Sequence, residues 1–272
     1  MARVDLPESK LRARKRRRRF AAAALVAFLF FAAMGLVVGL TRLPHLRVAT
    51  VEVAGVEGTE ATAVKQEVLT HLEGYYFSVF PRDNVILYPR AALTADVLKK
   101  FPTFATVEVK ATTLRSLKIA ITKRSSEAVW CGETRAAPAP CLHLDERGVA
   151  YEIAAEFEGA VYTTYYGALG GATLPRQYLN EEAFRALAAL ASALEGQQSK
   201  RVASVEVDAA RDVRLRFING FEVIFVLSDS GGDVYERFTL ALTAEPFEGR
   251  PTDDFEYLDL RFGDRLYYKI RD

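Results

Sequence analysis

The sequence predicts an α+β protein: a single transmembrane helix, a small strand-helix-helix-strand-strand domain, and a larger β-rich antiparallel-sheet domain. Three observations carry this. Residues 20–40 are an unbroken apolar run. Between 47 and 124 the apolar period changes from two to three or four and back to two, which marks strands and helices in turn. From 127 onward, short alternating segments separated by turn residues dominate, and two of the separators are tight hairpin signals.

Residues 1–19 are polar, charged and without an apolar face, so they read as a disordered cytoplasmic tail. The run Phe20–Leu40 holds 21 residues with no charged, hydroxyl or amide side chain. At about 1.5 Å per residue it spans about 30 Å, the thickness of a hydrocarbon core. Seven of the nine residues from Leu11 to Arg19 are Lys or Arg, and the positive-inside rule keeps that end in the cytoplasm. A cleaved signal peptide would have a shorter apolar core and a small-x-small site after it. Here Thr41-Arg42-Leu43-Pro44 follows, so the segment reads as an uncleaved anchor with the C-terminal part exported.

The first exported domain is placed at 47–124. Val51 and Val53 alternate with polar neighbours, and Gly55 and Gly58 end that strand. Ala63, Val64, Val68, Leu69 and Leu72 then fall on one helical face, with Thr59 or Thr62 as cap and Gly74 past the end. Residues 75–88 form an aromatic loop. Pro89 opens a second helix whose inner face is Leu93, Val97, Leu98 and Phe101, stopped by Pro102. Phe104–Lys110 and Leu117–Thr122 alternate as two strands, turned by Thr112–Arg115.

The second domain is placed at 127–272. Strands are expected at 128–130, 141–144 and 149–153, and Tyr162–Tyr166 is β-prone. Asn180 caps a helix from Glu181 to about Glu195, ended by Gly196. Strands follow at 202–207, 212–218 and 221–227, the last two joined through Asn219-Gly220 as a type I′ hairpin. Gly231-Gly232-Asp233 leads into a helix over 234–244. Residues 255–262 and 265–270 then form a hairpin across Gly263-Asp264.

Charge excludes one function class. Residues 1–40 hold nine Lys/Arg against two Asp/Glu, leaving +7, whereas 27 against 33 in 41–272 leaves −6. A mildly acidic exported part is not a nucleic-acid binder, and the basic tail serves topology and anionic headgroups. No pattern of an envelope enzyme or cofactor site is present. His45, His71 and His143 lie in different elements, and Gly-x-Ser-x-Gly, Ser-x-x-Lys and phosphate-loop patterns are missing. The reading is binding, with no catalytic residue, no cofactor and no small-molecule substrate. Cys131 and Cys141 flank a proline-rich loop in an oxidising space and point to a disulfide, with free thiols, or a metal set with His143 and Asp145, as alternatives. Trp130 with the tyrosines at 162, 165 and 166 is either core or a sugar platform. If Leu266–Ile270 is a sheet edge, its unpaired backbone groups are a template for a partner strand, unless Lys269 and Arg271 guard it.

The element order over 47–124 resembles a POTRA domain. The motifs extend the likeness: Val51-Glu-Val-Ala-Gly55, Phe101-Pro102 with Val107-Glu-Val109, Leu117-Lys-Ile-Ala-Ile-Thr-Lys-Arg124 with Ala128-Val-Trp130, Leu144-Asp-Glu-Arg-Gly-Val-Ala-Tyr151, and Tyr257-Leu-Asp-Leu-Arg-Phe262. With the basic tail and single anchor, their order resembles the FtsQ/DivIB family of bacterial cell-division proteins. Lys123-Arg124-Ser125-Ser126 departs from the acidic-basic pair and proline often found there, and the Cys131–Cys141 insertion is not general in the family.

The resemblance implies a bitopic divisome scaffold in the cytoplasmic (inner) membrane at the division septum. It would bind FtsB/DivIC-like and FtsL-like bitopic proteins, in association with the septal peptidoglycan synthase complex. Its implied partner-binding residues are Arg261, Phe262, Leu266, Tyr267 and Tyr268, with Arg237 added on the preceding helix to pair an acidic partner residue. The alternatives are a POTRA-bearing envelope assembly factor and an anchored peptidoglycan hydrolase.

Overall fold

In a computed structural model, residues 10–155, 162–228, 230–263 and 265–271 are described. Among them the protein is mixed α and β, with five α-helices and a large ten-stranded sheet. The chain divides into two units. One holds the residues up to Leu98 with Thr106–Thr122, and the other Lys99–Ala105 with the chain from Lys123.

In the first unit, α1 (Lys10–Thr41) is long and apolar enough to span a membrane. It begins inside the stretch expected to be a disordered tail. Residues 1–9 lie outside the described residues, but 10–19 are helical. Leu, Arg and Lys are good helix formers and no Gly or Pro separates them from the apolar run, so the span supplies the nucleus and the basic segment propagates it. A short 3₁₀ turn, Pro44–Leu46, leads to β1 (Thr50–Ala54) and α2 (Gly58–Leu72), which buries Val64, Val68 and Leu72. The expected threonine cap is not used. Glu57 stands at the N-cap without a side-chain bond, and Thr62 Oγ1 instead donates back to the Gly58 carbonyl.

The aromatic loop contains a two-strand ribbon, β2 (Tyr75–Tyr76) and β3 (Phe80–Pro81). Next come α3 (Arg90–Lys100), β4 (Phe104–Thr113) and β5 (Ser116–Lys123). The sheet order is β1-β5-β4, with β1 parallel to β5 from Thr50↔Ser116 to Ala54↔Ala120. Gly55 follows β1 with φ +94°, and a methyl there would overlap the Ile121 carbonyl, so glycine is required.

The second unit carries β6 (Ala128–Thr134), β7 (Ala137–Leu144), β8 (Val149–Ile153), β9 (Thr164–Tyr166), β10 (Arg176–Gln177), α4 (Glu181–Gln198), β11 (Val202–Val207), β12 (Asp212–Phe217), β13 (Glu222–Val226), α5 (Gly231–Leu242), β14 (Phe255–Phe262) and β15 (Arg265–Ile270). Their order in one sheet is β10-β8-β7-β6-β9-β11-β12-β13-β14-β15. The sheet is not wholly antiparallel as expected. β9 runs parallel to both β6 and β11, and β13 runs parallel to β14. For β9–β11 and β13–β14 the cause is connection length: α4 lies between the first two and α5 between the second two, and a helix-length crossover delivers the next strand in the same direction.

One core fills the helix-bearing face. Phe184, Leu187, Leu190 and Leu194 from α4, with Val234 and Phe238 from α5, meet Trp130, Leu215, Phe217 and Leu258 from the sheet. Trp130 is core and not a platform, its Nε1 donating to the Gly167 carbonyl at 2.9 Å, and Tyr165 is buried beside it. β6 is covered on both faces, because Val129 and Cys131 pack in a separate small cluster with Ala154, Cys141, Tyr162 and Tyr166. Cys131 and Cys141 are bonded to each other across β6 and β7, so neither sulfur serves a metal. Among the described residues no group of three or more His, Cys, Asp or Glu gathers as metal ligands.

Four local details differ from expectation. β6 and β7 run on through most of the stretch expected to be a loop, to Thr134 and from Ala137. Asn180 Oδ1 does accept from the Ala183 N–H at 2.8 Å, but α4 runs through Gly196 to Gln198 and ends on Ser199 at φ +51°. The helix gains from carrying on because Leu194 is already held in the core, and one exposed glycine costs only about 1 kcal/mol. Gly231 and Gly232 lie within α5 instead of breaking the pattern before it. The β12–β13 connection is not type I′, since only Gly220 of the pair has positive φ (+83°). Gly220 N donates to the Phe217 carbonyl at 2.9 Å, and Phe217 N to the Phe221 carbonyl at 2.9 Å. That is a three-residue loop with glycine in the left-handed position.

Candidate functional site

The sequence-predicted residues gather at one end of the large sheet. β15 is the last strand of its order and pairs antiparallel with β14, placing Leu258 opposite Tyr268 and Asp259 opposite Tyr267. It is six residues long and almost wholly exposed. The opposite edge, β10, is two residues long and follows Pro175, a blunt end by comparison.

The two faces of β15 differ. Tyr268 packs edge-on against Phe247 at 5.6 Å and Phe255 at 6.2 Å, which fixes its ring on the core side while leaving it 42% exposed. Tyr267 sits on the other side, edge-on to Phe262 at 5.0 Å, the two being 49% and 53% exposed. Lys269 Nζ lies 2.6 Å from Glu256 on β14, so this edge lysine spends its charge inside the hairpin. Asp264, in the hairpin turn, lies outside the described residues.

Arg261 is drawn inward. Its Nε and Nη2 donate to the two carboxylate oxygens of Asp259 at 2.9 and 2.6 Å, and Nη1 donates to Asp212 on β12. Its guanidinium also lies 5.5 Å from the centre of the Phe262 ring. Three of the five guanidinium N–H groups, one on each nitrogen, are engaged by the two carboxylates. These contacts hold Arg261 firmly protonated, with a pKa above its ordinary value. Burial pulls the Asp259 carboxyl upward, but the Arg261 side chain, its backbone N–H and its charge outweigh that, and the net shift is down. Arg261 therefore positions Phe262 and ties β14 to β12.

Arg237 spans from α5 to the strand, Nη1 donating to the Leu260 carbonyl at 2.7 Å. It walls a groove of about 280 Å³ together with Leu240, Ala244, Leu260, Arg265 and Leu266. Leu240 is the residue that sequence reasoning missed. The buried face of α5 is Val234, Phe238 and Ala241, and Leu240 is an apolar residue off that stripe, 61% exposed. An apolar residue outside the inward periodicity was the available signal. The site is thus a long open strand edge, with an aromatic pair on one face and a shallow apolar groove under Arg237 on the other.

No family model matches the chain, and no curated protein does.

Proposed function

We propose that this chain is a bitopic divisome scaffold. The apolar helix α1 anchors it in the cytoplasmic membrane with the N-terminus inside, and the two exported units bind other division proteins and help control septal peptidoglycan synthesis. The observation that carries the reading is the six-residue β15 edge with exposed Phe262 and Tyr267, at the far end of an anchored chain whose motif order resembles FtsQ/DivIB. The element order β1-α2-α3-β4-β5, with the short β2–β3 ribbon between the two helices, is compatible with a POTRA domain, which would contribute septal localisation.

In this account a strand from an FtsB/DivIC-like partner adds to β15. Its backbone ladder supplies affinity and alternate side chains supply register. Side chains on one face meet Phe262 and Tyr267, and those on the other reach the groove beside Leu240 and Leu266. Arg265 and Arg237 at the groove favour an acidic partner residue. An FtsL-like protein and the septal synthase complex would join through that partner. The function is assembly, with no turnover of substrate.

The test is capture of the small bitopic coiled-coil division proteins of the host by the full chain, repeated with Phe262→Ala and Tyr267→Lys. Loss of capture by variants that keep native circular dichroism supports the reading, and unchanged capture moves the interface away from β15. Depletion should leave filaments without septa, and normal septation would end the division reading.

A further inference from the structure

We propose that the loop carrying β2 and β3, residues 75–87, is a membrane-interface foot, seated in the headgroup layer of the outer leaflet. This rests on the reading of α1 as a membrane span. The first support is how firmly the loop is fixed to the end of that helix. Asn84 is wholly buried; its Nδ2 donates to the Thr41 carbonyl at 2.8 Å and its Oδ1 accepts from the Ile86 N–H at 2.9 Å. Arg42 Nε and Nη2 both donate to the Val79 carbonyl, at 3.3 and 3.1 Å. Val85 N donates to the Leu46 carbonyl at 2.9 Å. These bonds join the end of the helix directly to the loop.

The second support is what the loop presents. Phe77 is 90% exposed and Ile86 71%. Phe77 and Ser78 also hold left-handed backbone, at φ +48° and +59°, a region that costs a bulky residue about 1–2 kcal/mol. A turn facing only water is served by asparagine or glycine at such positions. This one holds a phenylalanine at the tip, with the Arg82 guanidinium 5.3 Å from the centre of the Tyr76 ring behind it. Aromatic rings backed by basic side chains are the composition of a water–lipid boundary.

The third support is proximity. The apolar run ends at Leu40, and the headgroup layer begins where the hydrocarbon core ends. Phe77 is two residues from Val79, whose carbonyl Arg42 holds two residues past that end. Lipid is the occupant adjoining this surface by continuity of the chain.

The experiment uses the full chain in vesicles of phosphatidylcholine and phosphatidylglycerol. Because Cys131 and Cys141 are bonded to each other, a thiol-reactive, polarity-sensitive fluorophore labels only an introduced cysteine, at Phe77→Cys, Ile86→Cys or, as reference, Phe31→Cys within the span. Quencher-bearing lipids report depth. The expected result is blue-shifted emission at 77 and 86, with several-fold stronger quenching by a headgroup-proximal quencher than by one at the chain end, and the reverse order at 31. Label 31 quenched with label 77 unquenched would overturn the foot while leaving the span intact. Failure to quench any of the three would remove the span itself, and the foot with it.

Discussion

Replacing Arg261 by methionine removes three donors from two carboxylates and leaves Asp259, only 5% exposed, without its cation. Breaking one side of a buried ion pair costs about 3–5 kcal/mol. Arg261 is itself a quarter exposed, its side chain at 26%, so solvent screening brings the expected loss to about 2–3 kcal/mol. For a unit of this size that lowers the melting temperature by roughly 5–10 °C. The assay is thermal unfolding of the full chain in detergent, followed by fluorescence of Trp130, the single tryptophan, which is buried in this unit.

The pH dependence gives the sign. In the wild type the Asp259 carboxyl is held below its ordinary value. Its contribution is therefore present above the unfolded pKa of about 3.9 and is lost as the pH falls through the lowered folded value. In Arg261→Met the same carboxyl is buried with less to hold its charge, so its pKa moves up and the penalty fades on acidification. The two proteins should differ most near neutral pH and converge as the pH falls below about 4. Adding Asp259→Asn to the variant should restore part of the loss at neutral pH. Equal melting at neutral pH, or a deficit unchanged into acid, would refute the positioning role and return Arg261 to the free surface.

Asn84→Ala should cost the first unit about 1–3 kcal/mol, because a buried side chain that satisfies both the Thr41 carbonyl and the Ile86 N–H disappears; hydrogen exchange should speed up at Ile86 and Val85 before the rest of the unit. Replacing Cys131 and Cys141 by serine opens a loop with a sequence separation of 10 and should lower stability by a little under about 3 kcal/mol, read on the Trp130 transition, while reductant adds two hydrogens to the wild-type mass. Gly55→Ala forces a methyl onto the Ile121 carbonyl at φ +94°; a loss of more than about 3 kcal/mol, seen as proteolysis of the first unit, is expected, and a variant with wild-type resistance would contradict the close approach of β1 and β5.

Period and punctuation made most elements legible. Alternation located β11, β12 and β14 to within a residue or so, because each has a buried face and its neighbours fix which face is wet, and β15 was bounded by its turn instead. Alternation carries no information about direction, and so the parallel pairs β9–β11 and β13–β14 were not legible; they follow from where α4 and α5 set down the next strand. Helix ends were the other loss, at Gly196 and Lys10, where an already nucleated helix overrode a local breaker or a charged composition. At the candidate site, β15 and its aromatic residues were readable as a strand, while its place at the edge stayed open until the sheet order was known. The engagement of Arg261 was not, because Asp212 lies 49 residues away in sequence and reaches it only once β12, β13 and β14 stand side by side. Leu240 was readable in principle as the apolar residue on the wrong side of α5.

The most direct measurement is photocrosslinking in dividing cells with the reactive residue placed at Tyr267 on β15 and, separately, at Gln177 on β10, the opposite edge of the same sheet. The account predicts a covalent adduct from position 267 with one small bitopic coiled-coil protein, lost when Phe262→Ala is added, and none from 177. An adduct from 177 with none from 267 would contradict it.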